Sequence, residues 1–251
     1  MSGSDSAGVP WEGRHIETPV AAADDGSAPP RLIEALRRFR AGELGQAEVV
    51  DALRESRLLV PLVAELGESG TTETGLQVDK SQELSLVRVA GPDGRTVQPA
   101  FTSMSAMAAW NPKARPVPAA APRVALSAIG DGAELVVLDP TSDSEFVVRR
   151  PALWAMAESA PWIPSYLDPA VLDTFLESAS HEDAVRELYV APGDPDARLR
   201  GPELLVHLVL DDGLDRERLD AILARLRSRW TQSEVIATRV DSLAVRVVAS
   251  V

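Results

Sequence analysis

The chain has 251 residues, 45% of them hydrophobic and 25% charged, with a net charge of −13. That length accommodates one or two domains with a real core. The acidic balance argues against a general nucleic-acid binder, which needs cations to displace phosphate counterions. The absence of cysteine excludes disulfides, thiolate catalysis and cysteine-ligated zinc, and no apolar run reaches the roughly 18 residues that span a bilayer.

Arginine outnumbers lysine 23 to 2 and there is one asparagine. This reads as codon bias rather than as a functional signal. Arg37, Arg38 and Arg40 are the nearest approach to a basic patch and read as a solvated helix face. No basic stretch followed by an apolar core opens the sequence, so no signal peptide is expected and the expected location is the cytoplasm.

In chain order, residues 1–28 are rich in Gly, Ser, Ala, Asp and Pro, with Trp11 and Ile16 their only large apolar groups. A disordered acidic tail is expected, because such a segment buries too little surface to offset its ordering entropy. Pro29-Pro30 leads into Arg31–Ala41, where Leu32, Ile33, Leu36 and Phe39 recur at helical spacing. Gln46–Ser56 repeats the pattern with Val49, Val50 and Leu53, so a helical hairpin is predicted. Leu58–Leu66, reading LLVPLVAEL, predicts a buried strand that Pro61 places at an edge or a bulge. Residues 67–80 form a polar loop. Leu84–Val89 and Thr96–Phe101 predict a β-hairpin about the turn Gly91-Pro92-Asp93-Gly94.

The segment Gln98–Pro122 has the most distinctive local pattern. A strand ends near Phe101, and Thr102 or Ser103 is placed to cap a short helix carrying Met104, Met107, Ala108 and Trp110 on one face. Asn111-Pro112 stops that helix, and prolines follow at 116, 118 and 122. A short helix is then predicted over Arg123–Ile129, strands over Glu134–Leu138 and Glu145–Arg149, and a helix over Ala152–Glu158 that Pro151 begins. Residues 159–183 read as a linker. It contains an amphipathic helix after Asp168-Pro169 that carries Val171, Leu172, Phe175 and Leu176.

A second unit spans 184–251. Strands are predicted at Val185–Val190 and Leu204–Leu210. A helix over Leu214–Trp230 has the stripe Leu219, Ile222, Leu223 and Leu226, acidic residues at its start and arginines at its end. Val235–Arg239 and Leu243–Val248 predict a closing hairpin turning at Asp241-Ser242. The expected fold is therefore α+β. A larger domain over 29–158 has a mixed or antiparallel sheet with packed helices, and a smaller domain is built ββαββ.

Three strings carry a resemblance: LLVPLVAEL, VQPAFTSMSAMAAW and the late pattern ELVVLDP…SEFVVRRPAL. With them the region 29–158 resembles the N-terminal domain of the SseB family, named for enhanced serine sensitivity, and 184–251 resembles its C-terminal domain. The resemblance implies a cytoplasmic bacterial protein linked to serine sensitivity, with no catalytic residues to carry over. The chain departs from the pattern at Leu138-Asp139-Pro140, where asparagine is expected before the proline, and no site is placed on that turn.

The residues themselves show no catalytic motif, neither a phosphate-binding glycine loop nor HExxH nor G-x-S-x-G. No cofactor is expected. His15 lies in the tail, and His181 sits beside Glu182 and Asp183 at a spacing poor for a metal. His207 reads as a satisfied core histidine, and Asp211-Asp212 as helix capping. Two functions remain. One is a non-enzymatic interaction or regulatory protein with a protein partner, docking through Phe101, Thr102, Ser103 and Trp110. The alternative is a small-ligand-binding protein or cryptic enzyme. It would take an amino-acid-like molecule at the helix start, where Thr102, Ser103 and backbone amides face the positive dipole end.

Overall fold

The computed structural model describes residues 24–64 and 84–248. The polar loop expected at 67–80, and the tail as far as residue 23, lie outside the described residues. Two helices open the fold, α1 (Pro30–Arg40) and α2 (Gln46–Arg54). They bury Leu32, Leu36, Val49, Val50 and Leu53, most of the stripe the spacing predicts.

Strand β1 (Arg57–Ala64) follows, then β2 (Leu84–Leu86), β3 (Val89–Ala90), β4 (Thr96–Ala100), helix α3 (Met104–Trp110) and β5 (Arg115–Ala120). The stretch Leu84–Val89 is not one strand. Its first part pairs with β1, and its last residue forms the expected hairpin with β4, Val89 opposite Val97. The proline-rich stretch is itself a strand, β5, antiparallel to β1 at one edge of a three-stranded sheet. Proline lacks the N–H a ladder needs. Pro116 and Pro118 therefore fit the outward-facing positions of this edge, where they leave no donor for a further strand.

The chain continues with α4 (Ala121–Gly130), β6 (Leu135–Leu138), β7 (Phe146–Val148) and α5 (Arg150–Ala157). The second sheet has the order β3-β4-β6-β7, with β4 and β6 parallel. Phe101 joins the two sheets: it exchanges both backbone hydrogen bonds with Leu59 of β1, each at 2.8 Å. The main core lies between these sheets and α1, α2, α4 and α5.

Helix α6 (Pro169–Ala179) is capped as its sequence predicts, Asp168 accepting from the amide of Ala170 at 2.9 Å. The smaller body consists of β8 (Val185–Pro192), β9 (Leu204–Leu210), α7 (Arg216–Gln232), α8 (Glu234–Arg239) and β10 (Leu243–Val248). The α+β class stands, but the third strand of the expected ββαββ order is a helix. Ser233 caps α8 by accepting from the amide of Ile236, and Ile236 packs into the core with α7. β-branched residues favour strands only weakly, and burial overrides that preference. In consequence β10 runs parallel to β9, Leu243 opposite Leu204, and does not close a hairpin. Helices cover the face of this sheet that holds Leu204, Val206 and Leu208.

His207 occupies the opposite face. It is half-buried and stacked on Tyr189, with ring centroids 4.6 Å apart, so it is not a core histidine. Strand β9 alternates buried and half-buried positions, and the odd-numbered half faces away from α7.

Candidate functional site

The four residues singled out by sequence lie together but do not share one surface. Phe101 is fully buried, and its ring meets Trp110 at 5.3 Å between centroids. Leu59 and Met107 complete that cluster, with Ala106 and Ala114 at its margin. Ser103 is the N-cap of α3, its Oγ accepting from the amide of Ala106 at 3.1 Å. Trp110 alone of the four is half-buried and reaches solvent. Met104, at the other end of the helix, is 52% exposed.

The start of α3 is already occupied by the chain. The amide of Met104 donates to the carbonyl of Gly26 at 2.9 Å. Gly26 has φ +74°, a left-handed conformation that favours glycine, and a Cβ there would displace the Met104 side chain. Arg57 ties the same segment down, pairing with the Asp24 carboxylate and donating to the carbonyls of Ser27 and Thr102. The acidic stretch expected to be tail through residue 28 is thus docked from Asp24 onward.

Thr102 is committed inward. Its backbone N–H donates to Asp139 Oδ1 at 2.8 Å and its hydroxyl to Oδ2 at 2.7 Å. Ser144 donates a third bond to the same carboxylate at 2.9 Å. Asp139 is buried, sits at φ +44°, and forms no ion pair among the described residues. Burial pushes its carboxyl above the usual carboxylate range, and the bonds from Thr102 and Ser144 oppose that. These groups gather at the carboxyl ends of the parallel strands β4 and β6, where α/β sheets commonly place ligands. In the sequence, Asp139 carries no mark of a buried site, because Asp-Pro at a strand end reads as turn chemistry. The later serines, Ser142 and Ser144, were the available signal.

A second polar assembly joins the two bodies. Arg149, almost fully buried, donates to Asp194 at 2.7 Å, to Asp241 at 3.0 Å and to the carbonyl of Gly201 at 2.8 Å. Arg95 adds a bond to Asp241 at 2.9 Å, and Arg150 donates to the carbonyls of Ala237 and Val240. Glu203 lies beside them, accepting from the amide of Asp241 at 2.6 Å; burial pushes its carboxyl up. Nothing in the residue spacing announced this assembly, because its members are drawn from both units. Elsewhere, Glu182 binds Arg225 and Arg229 and so does not join His181 and Asp183 in a metal site. Among the described residues no group of histidine and carboxylate side chains is placed to hold a metal ion. No described helix is long and apolar enough to cross a membrane.

These features define an α+β protein in which a larger body, two sheets joined at Phe101 under a helical hairpin, carries a smaller body through arginine–carboxylate contacts. Residues 32–155, most of the larger body, match the family model for the SseB protein N-terminal domain. That region carries the likeness of the chain to the SseB family. No curated protein and no solved structure matches the chain.

Proposed function

We propose that this is a non-enzymatic interaction or regulatory protein of the bacterial cytoplasm, linked to serine sensitivity as its SseB resemblance implies, and that Trp110 anchors its partner. The observation that carries the reading is the state of Trp110. It is held against the buried Phe101 ring yet keeps part of its indole in solvent. A rigidly backed, half-exposed tryptophan offers large contact area at little ordering cost. The edge of β5 supports side-chain docking rather than strand addition, since its prolines remove outward donors.

The amino-acid-like ligand of the alternative reading gains no support at the start of α3. The amides of Met104 and Ala106 there have acceptors within the chain, and the hydroxyl and amide of Thr102 are given to Asp139.

Photo-crosslinking tests the reading. Benzoylphenylalanine at position 110 is expected to capture a discrete partner in native cytoplasm, while the same group at the buried position 230 captures none. Equal capture from both positions contradicts it.

A further inference from the structure

A cleft of about 920 Å³ opens between the two bodies. The turn Pro92–Arg95 and Glu134 wall it on one side; the segment 198–202 and Asp241-Ser242 wall it on the other. Its charges do not all cancel. Arg95 is bonded to Asp93 and Asp241, and Asp241 is also bonded to Arg149. Among the described residues the Arg198 guanidinium donates to the carbonyls of Ser142 and Asp143 and forms no ion pair. The Arg200 side chain is exposed and forms no ion pair among the described residues. Two arginines without an ion pair among the described residues thus line the cleft, two positions apart.

The loop that presents them is held unusually firmly. The Asp194 carboxylate accepts the backbone N–H groups of Arg198, Leu199 and Arg200 at 3.3, 2.8 and 3.3 Å. Leu199, between the two arginines, is buried against Val97, Leu135, Val137 and Val147 of the larger body. Close backbone approach fixes the base of the loop: a Cβ on Gly201 would lie 2.6 Å from the Gly193 carbonyl oxygen. Ala197 and Leu199 are held at φ +49° and +57°. Left-handed conformations at such residues are costly and persist where the surroundings over-determine them, often at functional sites.

We propose that this cleft binds a small molecule through an oxyanion, a phosphate or carboxylate group, seated between Arg198 and Arg200. Guanidinium forks match the geometry of both groups, and a loop fixed in advance loses little freedom on binding. Glu134, on the facing wall, sets the other half of the specificity. It forms no ion pair among the described residues, so it opposes a second negative charge and favours a donor at the far end of the ligand.

Calorimetric titration of the full-length protein with phosphoethanolamine and, separately, with β-alanine tests the site and distinguishes phosphate from carboxylate, since each carries one oxyanion and an ammonium donor at its far end. Sodium chloride of matched ionic strength is the reference. At least one probe is expected to bind one per chain. Arg200→Ala is expected to weaken it at least tenfold with an unchanged melting temperature, because that side chain is exposed. Glu134→Gln is expected to weaken it severalfold. Absence of binding by both probes overturns the proposal. So does binding that survives Arg200→Ala, or that Glu134→Gln leaves unchanged.

Discussion

Asp139 is the residue whose burial has the clearest consequence. Its carboxyl is raised by desolvation. A raised folded value means that the native state holds the proton more tightly than the unfolded chain. Its contribution to stability is therefore full below the ordinary carboxylate range and is lost as pH rises through the raised value. Asp139→Asn keeps acceptors and donors for Thr102 and Ser144 without a charge to bury. It is expected to leave stability at neutral pH equal or higher and to flatten this part of the pH dependence, measured by urea unfolding between pH 4 and 8. Asp139→Ala leaves the two Thr102 donors unpaired and is expected to cost about 1–3 kcal/mol. Both the site and the departure from the family pattern fall at this position, which sequence assigned only to a turn. A carboxylate's burial depends on what the fold brings over it, here Thr102, 37 positions earlier, and no local spacing records that. The cap at Ser103 was legible, because capping is a local bond between a hydroxyl and an amide three residues on.

At the scale of elements, strongly periodic segments were legible and short ones were not. Helices α1, α2 and α7 follow from apolar spacing, and the β3–β4 hairpin from its turn residues. Helix α8 was not legible, since Glu234–Arg239 is six residues rich in β-branched side chains whose conformation is set by packing on α7 and α6. β5 was hidden by its prolines, which are tolerated because it is an edge. The segment 24–28 shows a related limit: its composition is that of a tail, but Gly26 and Asp24 each find a partner on an element far along the chain. Deleting residues 1–28 is therefore expected to lower stability by about 1–2 kcal/mol, through loss of the Met104–Gly26 hydrogen bond and the Arg57–Asp24 pair. Thermal unfolding of the truncated chain beside the full one measures it; equal melting temperatures contradict the docking. Between α6 and α7, Glu182 is held below the usual carboxylate range, first by its hydrogen bonds from Arg225. That contribution is present above the ordinary carboxylate range and is lost as pH falls through the lowered value. Glu182→Gln is expected to reduce the acid sensitivity of the smaller body, followed by tryptophan fluorescence, since Trp230 donates to Ser178, whose carbonyl accepts from the Glu182 partner Arg229.

For the molecule as a whole, the sequence predicted two units, and the structure adds what lies between them. Arg149 is bonded to two carboxylates of the smaller body and is itself almost out of solvent. Removing one partner of such a buried set leaves charges uncompensated, so Arg149→Ala is expected to cost about 3–5 kcal/mol. Limited proteolysis is expected to cut this variant at 159–168 faster than the parent. Unchanged cleavage would mean that the contacts of Arg150 and Arg95 hold the bodies together unaided. The family match covers the larger body, which also carries Trp110, and the functional reading depends most on that side chain. The most direct test is Trp110→Ala, with denaturant unfolding and partner capture measured on the same preparation. The account predicts that capture by the folded protein falls at least tenfold, while unfolding loses only the about 1–3 kcal/mol expected for a half-buried ring. Capture that falls only in proportion to the folded fraction would contradict it and make Trp110 a packing residue.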